Sequence, residues 1–197
     1  KLIFDMARDI GLNYTPDSSW VDLYCNGQYQ GLYLLTESVT SNLDRFNGIL
    51  IEKSNKNQID ADEISFSTNL EYLFKLKKPE YITQSQTNDL ADYIQEIETF
   101  ITTGDSQYAE CVDIISLAKQ FFIDKIVLEG DAMSLSTFFY IKDEKLYAGP
   151  LWDYDRAMGE RFPDYETPIE GPPKGMAEWY MALFIDEVFF AAMEDAY

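Results

Sequence analysis

Three carboxylates in the middle of the chain have the residue type and spacing that could do chemistry. Asp131 follows a long apolar stretch, and Asp153 and Asp155 alternate in the run Trp152-Asp153-Tyr154-Asp155. Alternate residues of an extended segment point to the same side, so Asp153 and Asp155 could share a hard cation. Converging carboxylates repel one another, so these three are either separated and solvated or held together by Mg²⁺ or Mn²⁺.

From the composition alone, a structural role for the same residues is the favoured interpretation. Asp131 could cap a turn, while Asp153 or Asp155 pairs with Arg156 at the surface. A lone Asp-x-Asp is a weak signal, and it leaves both interpretations open.

The composition restricts the chemistry that this chain can perform. Histidine is absent, which excludes Ser-His-Asp, Cys-His and imidazole–zinc mechanisms. The chain has 15 basic and 35 acidic residues, for a formal net charge of −20. Such a field repels phosphate backbones and attracts divalent cations, so we expect no nucleic-acid partner, and metal-assisted chemistry is favoured.

The cysteines and the hydropathy pattern exclude further classes of protein. Cys25 and Cys111 are the only cysteines, and without a CxxC motif they indicate neither a thiolate zinc site nor a redox centre. They could form one disulfide, but the tendency of cysteine to be buried favours two buried free thiols. No apolar run reaches about 18 residues, so we expect no membrane-spanning segment.

The N-terminal part of the chain predicts one helix and several strands. Asn26-Gly27 lies between two aromatic and β-branched runs, which is the strongest short-range signal for a β-hairpin. The predicted elements are a helix over 1–10, the hairpin strands 20–25 and 29–35, further strands over 49–53 and 72–77, and a polar surface excursion over 55–69.

The rest of the chain predicts mainly helices. These are an amphipathic helix over 87–103, an apolar helix over 114–129 capped by Asp113, a hairpin of strands 137–142 and 145–151, a Pro- and Gly-rich stretch over 168–175, and a final helical region broken at Asp186. Strands joined by hairpins and segregated from helices indicate an α+β fold. Because the second hairpin folds its ends together, it brings Asp131 near Asp153.

The order of these elements is that of a protein-kinase catalytic lobe. A helix, a loop with an Asp, a short hairpin and a second Asp at the strand end place a catalytic base and a Mg²⁺ ligand side by side. The helix over 2–10, followed by a hairpin ending in Thr36-Glu37, would match the preceding helix, strands and hinge.

Two long motifs resemble the spore coat protein H (CotH) kinase family. Residues 21–37 (VDLYCNGQYQGLYLLTE) are similar to the family's signature hairpin, and residues 147–159 (YAGPLWDYDRAMG) to its Gly-Pro-x-Trp-Asp-x-Asp segment. Ser136 to Tyr140 and Trp179-Tyr180 also fall where the family has similar residues. The resemblance extends from Lys1 almost to Tyr197.

This resemblance implies an atypical protein kinase that uses ATP and Mg²⁺ or Mn²⁺ to phosphorylate hydroxyl groups of a protein substrate. By position, Asp131 would be the catalytic acid of the loop, and Asp153 would bind the metal and, through it, the nucleotide. Asp155 would lie beside Asp153, and Glu37 would lie at the adenine hinge. Ser136 occupies the position of the usual second metal-binding Asn, where a hydroxyl is the weaker ligand. The family also implies a secreted or surface location on a bacterium, or the spore coat.

The resemblance also implies a single domain over 1–197 that lacks its first strands. About 1–80 would be the remainder of the N-terminal lobe with the hinge, and about 81–197 the helical catalytic lobe. The ATP-binding lysine is then expected before residue 1, with Lys53, Lys75 and Lys77 as solvated strand edges. The helix over 2–10 is expected to pack on the first hairpin, leaving an apolar sheet face that a partner chain could cover.

A catalytically degenerate kinase-like binding or scaffold module is the alternative. Ser136 in place of Asn favours it, as do 14 tyrosines, which suit contacts with protein or glycan.

Overall fold

The computed structural model describes residues 1–40, 48–158 and 175–197. Six α-helices occur in these ranges: α1 (Leu2–Asp9), α2 (Gln84–Thr103), α3 (Tyr108–Cys111), α4 (Ile114–Ile126), α5 (Ala177–Leu183) and α6 (Glu187–Ala196). The strands are β1 (Ser18–Cys25), β2 (Gln28–Thr36), β3 (Ile49–Ser54), β4 (Ser65–Ser67), β5 (Leu73–Lys78), β6 (Thr137–Lys142) and β7 (Lys145–Ala148). The predicted α+β class is confirmed.

An antiparallel five-stranded sheet carries the site-bearing hairpin. Its strand order is β4-β5-β3-β6-β7, with β3 at the centre, between β5 and β6. The core lies between this sheet and the helices, where Phe74 and Phe139 of the sheet share one cluster with Ile97 of α2 and with Leu117 and Phe121 of α4. The sheet and α4 therefore form one packed unit. This unit fixes the end of α4, which leads to Asp131, and the end of β7, which leads to Asp153.

The predicted Asn26-Gly27 hairpin is present and forms a separate sheet of two strands. Asn26 and Gly27 both have positive φ, +50° and +80°, which is the backbone that a two-residue hairpin turn requires. Most of its side chains are exposed on both faces, including Trp20 at 58% and Leu32 at 61%. The expected uncovered apolar face is therefore found.

The expected packing of α1 on this hairpin is wrong. The buried residues Ile3 and Ala7 of α1 pack instead with Ile123 of α4, with Val127 just past its end, and with Leu151. Arg8 reaches toward the start of the hairpin, through an ion pair with Asp17 at 3.2 Å. The apolar face of α1 is thus buried against apolar residues of α4 rather than against the hairpin.

Two predicted boundaries differ from the structure in the region that matters most. Helix α4 ends at Ile126 rather than at Glu129, so a turn through Val127 and Leu128 leads into Asp131. Strand β7 ends at Ala148, and residues 149–155 continue outside regular structure. Both Asp131 and Asp153 therefore lie on irregular backbone anchored by regular elements.

Two further expectations are corrected. The predicted surface excursion contains strand β4, whose Phe66 is buried opposite Phe74 of β5. Cys25 and Cys111 are free thiols, as favoured, but Cys25 is exposed and Cys111 only half-buried.

Residues 168–174 of the Pro- and Gly-rich stretch lie outside the described residues. Within the described ranges, no helix has the length and apolar character needed to cross a membrane.

The interpretation of the strand lysines as solvated edges is wrong for two of the three. Lys53 and Lys75 are only 8% and 7% exposed, because β3 and β5 are interior strands of the sheet. Lys75 and Lys77 each form ion pairs with Glu52 and Glu63, at 3.4 to 3.7 Å. These two lysines are therefore bound into a charge network of the sheet.

Candidate active site

The β6–β7 hairpin brings the predicted catalytic and metal-binding residues to one place. Asp131 follows the turn after α4, Ser136 immediately precedes β6, and Asp153 follows β7. All three line the same small pocket, of about 10 Å³, so Asp131 and Asp153 face a common space rather than opposite sides of the domain.

Direct contacts connect the two chain segments that form this pocket, residues 130–136 and residues 153–156. Ser136 Oγ donates a hydrogen bond to Asp153 Oδ2 at 3.2 Å. Arg156 donates to Asp131 Oδ1, also at 3.2 Å, and its side chain packs over Gly130. The surface ion pair considered from the sequence therefore exists, but Arg156 forms it with Asp131 rather than with Asp153 or Asp155.

Asp155 lies on a second, wider cleft that shares Asp153 with the small pocket. This cleft has a volume of about 320 Å³, which is within the range of small-molecule sites. The side chains that line it come from α1, from the end of β2 and from residues 152–155. Asp153 is the acid common to both spaces, and both Asp153 and Asp155 are exposed.

Glu37 lies just past β2, at the open end of the first hairpin. Its Oε2 accepts a hydrogen bond from the backbone N–H of Asp17 at 2.9 Å, and its own N–H donates to the Asp17 carbonyl. The neighbouring Thr36, rather than Glu37, is among the residues that line the 320 Å³ cleft. A hinge role for Glu37 stays a prediction.

The comparison with protein families assigns the chain. The model of the CotH kinase protein family matches residues 1–189. The chain belongs to the CotH kinase family. No curated protein matches it in sequence. Membership suggests a kinase-like function, and the family is associated with the spore coat.

Beneath the acids singled out from its sequence, this CotH kinase family member has a second set of carboxyl groups. Asp124 of α4 and Glu129 of the following turn are 4% and 5% exposed and line the same pocket as Asp131. Burial raises the pKa of Asp124 to about 8, and a hydrogen bond from the Tyr154 hydroxyl opposes that shift. Burial also raises the pKa of Glu129 to about 7, opposed by the hydrogen bond from Asp131 N–H and increased by the nearby Asp131 and Asp155 carboxylates.

Sequence reasoning missed these buried groups, although a signal was present. Gln120 and Asp124 are polar residues one helical turn apart in a largely apolar helix, and spacing of i and i+4 places them on one face. Polar residues on the buried face of a core helix are uncommon, because their desolvation must be offset by hydrogen bonds. That pattern could have marked the face of α4 that turns toward Asp131.

The oxygen groups of this CotH family member fit a nucleotide-bound Mg²⁺ better than a metal held by protein alone. No cluster of three or more acidic, cysteine or histidine side chains in the described ranges could hold a metal ion. Mg²⁺ usually binds one or two carboxylates together with substrate phosphates and water rather than an all-protein cage. Asp153 and Asp155, exposed on the wider cleft, with the Ser136 hydroxyl hydrogen-bonded to Asp153, supply that kind of partial ligand set.

Lys53 also reaches this region of the molecule. Its Nζ donates to the backbone oxygens of Ser54 at 3.0 Å and Ser134 at 3.5 Å, and it lies 5.8 Å from the centre of the Tyr72 ring. Burial lowers the pKa of its ammonium group. Because Ser134 belongs to the loop between Asp131 and Ser136, Lys53 connects the central strand of the sheet to the site.

A larger cleft lies elsewhere on the molecule. It has a volume of about 960 Å³ and is lined mainly by α2, β3 and the β6–β7 turn, with apolar residues such as Ile49, Leu90 and Ile141. None of the acids predicted for catalysis or metal binding lines it. Volume alone therefore does not identify the candidate active site.

Proposed function

We propose that this protein is an atypical protein kinase, which transfers phosphate from ATP to hydroxyl groups of a protein substrate with the help of Mg²⁺ or Mn²⁺. The observation that carries the proposal is that Asp131 and Asp153 line one pocket, while Asp153 also faces a cleft of about 320 Å³. Membership of the CotH kinase family supports the same conclusion.

Each acid has a role that suits its position. Asp131 would accept the proton of the attacking hydroxyl, since it is partly exposed, and its ion pair with Arg156 would orient it. Asp153 and Asp155 would hold the metal, with Ser136 as an additional oxygen ligand. The bound cation would neutralise negative charge on the transferred phosphate. The nucleotide would occupy the cleft beside Phe4, Leu34 and Thr36, and Glu37 would lie next to it at the hinge.

The family also supports a location and a class of partner. We propose a bacterial protein that is secreted, on the cell surface or in the spore coat, with a protein substrate. A net charge of −20 disfavours nucleic acid as a partner.

A catalytically degenerate binding or scaffold module is the second candidate. Ser136 replaces the second metal-binding amide and already donates to Asp153. The first hairpin exposes an apolar surface that includes Trp20, Tyr24, Leu32 and Leu35, which would suit contact with another chain. Such a protein would keep the fold without transferring phosphate.

Phosphate transfer from γ-labelled ATP distinguishes the two candidates. Wild-type protein should label itself or a serine-containing protein in the presence of Mn²⁺ or Mg²⁺. Asp131→Asn preserves the shape of the side chain and removes the base, so labelling should fall by about 10²–10⁴-fold. Asp195→Asn, at an exposed position of α6, is the matched control and should label like wild type. Metal-dependent ATP binding without labelling would favour the degenerate module.

A further inference from the structure

A layer of buried polar side chains lies directly behind the candidate active site. Gln120, Asp124 and Glu129 are 3%, 4% and 5% exposed, and all line the pocket that contains Asp131 and Asp153. One oxygen of each, Gln120 Oε1, Asp124 Oδ2 and Glu129 Oε2, has no hydrogen-bond partner within the described part of the chain. Buried acceptors without partners reduce stability, so their presence here calls for a compensating role.

The other carboxylate oxygens of this layer hold the two segments that carry the site. Glu129 Oε1 accepts a hydrogen bond from the backbone N–H of Asp131 at 3.1 Å. Asp124 Oδ1 accepts one from the hydroxyl of Tyr154 at 2.5 Å. Tyr154 lies between Asp153 and Asp155 in the chain, so its hydroxyl connects the metal-binding segment to α4.

The segment that Tyr154 anchors needs outside support. Asp153 has a φ of +62°, in the left-handed region that L-residues adopt at a cost, and such conformations persist where the surroundings enforce them. Ser136, itself at φ +48°, bonds the Asp153 carboxylate from one side. Farther along, Met158 N–H donates to the Val127 carbonyl at 2.6 Å. The hydrogen bond from Tyr154 to Asp124 holds the segment between Asp153 and Met158 in place.

The ring of Tyr154 packs against the same cluster that fixes α4. The cluster contains Ile123, Val127 and Leu151, so the ring lies against α4 on one side of the hydroxyl anchor.

We propose that Asp124 and Tyr154 are positioning residues: the hydrogen bond between them fixes the backbone of residues 153–155 and thereby directs Asp153 and Asp155 into the cleft. The part of this inference that concerns metal binding rests on the proposed kinase function. The anchoring of the segment itself does not, and it can be measured without nucleotide.

Tyr154→Phe removes the anchoring hydroxyl and leaves the ring. Tyr72→Phe is the matched control, because Tyr72 also donates to a carboxylate, that of Glu178, but lines neither of the two site pockets. Amide hydrogen exchange over residues 151–158 should accelerate by roughly tenfold in Tyr154→Phe, as expected for the loss of one hydrogen bond, and should not change in Tyr72→Phe. Equal exchange of this segment in the two variants would overturn the inference.

Two changes at Asp124 test the other end of the bond. Asp124→Ala removes the acceptor and should loosen residues 151–158 as Tyr154→Phe does. Asp124→Asn retains an acceptor oxygen and should keep wild-type exchange. If Tyr154→Phe fails to fold, the two Asp124 variants test the inference by themselves. Equal hydrogen exchange of residues 151–158 in Asp124→Ala and Asp124→Asn would contradict the proposed anchoring by Asp124.

The effect on function is tested by measuring phosphate transfer from ATP at increasing Mn²⁺ concentrations. Tyr154→Phe should raise the Mn²⁺ concentration for half-maximal phosphate transfer by about tenfold, with a smaller change in the maximal rate. A fall in maximal rate alone would contradict the proposed effect on metal binding. If wild-type protein shows no response to Mn²⁺ and ATP, the proposed kinase function fails, while the exchange measurements still decide whether the anchor exists.

Discussion

Asp153 combines an exposed carboxylate with a left-handed backbone, and this combination determines which substitutions are informative. Its φ is +62°, a region that Asp and Asn tolerate better than Ala. Asp153→Ala should therefore lower the free energy of unfolding by about 1 kcal/mol more than Asp153→Asn. Urea denaturation of the two variants without metal measures this difference. Equal stabilities would show that the strain at residue 153 is negligible.

Asp124 gives stability a pH dependence with a definite sign. Burial raises its pKa from 3.8 to about 8, so between these values the folded state holds a proton that the unfolded state has released. Its contribution therefore makes the unfolding free energy fall as pH rises from about 4 to about 8, by at most about 1.4 kcal/mol per pH unit. Asp124→Asn removes this titration, and its stability relative to wild type should be greater at pH 8 than at pH 5.5. A constant difference between those two pH values would mean that Asp124 is ionised in the folded protein.

At the residue scale, the sequence predicted which side chains meet but not how they pair. A hairpin between Asp131 and Asp153 was enough to bring them to one pocket. The partner of Arg156 could not be predicted, because the turn after α4 decides which carboxylate the guanidinium reaches. The buried carboxyl groups were missed because α4 looked apolar as a whole.

Among the described elements, the first hairpin is only loosely attached to the rest of the protein. Strands β1 and β2 pair with each other and form a separate sheet, and most of their side chains are exposed. A two-stranded hairpin alone is marginally stable in water. Amides of β1 and β2 should therefore exchange hydrogen at least about 100-fold faster than those of the central strand β3. Comparable protection of β1, β2 and β3 would show that the hairpin is covered in solution.

At the element scale, strong local patterns predicted the elements correctly, and packing partners were harder to predict. Asp113 caps α4 as expected, with its Oδ1 accepting from Ser116 N–H at 2.8 Å. The amphipathic stripe of α1 indicates that one side is buried, but not that α4 would cover it. Lys53 and Lys75 looked solvated because a strand sequence does not reveal whether the strand is central.

The whole molecule has a formal charge of −20, and exposed acids lie on the proposed nucleotide cleft. ATP is itself an anion, so without a divalent cation this field should repel it. Binding of ATP is therefore expected to require Mg²⁺ or Mn²⁺ at Asp153. The order of elements and the two long motifs predicted acids at this site from sequence. The shape of the cleft could not be predicted, because it depends on how α1 and β2 meet residues 152–155.

The most direct test of this account is the thermal and chemical stability of the purified protein with Mg²⁺ and ATP together. At about 100 times the dissociation constant, wild-type protein should gain about 2.7 kcal/mol of stability, and ATP alone should give much less. Asp153→Asn should lose this gain, while Asp195→Asn, at an exposed position of α6, should retain it. Equal stabilisation of Asp153→Asn and wild type, or no stabilisation of wild type, would contradict metal-dependent nucleotide binding at Asp153.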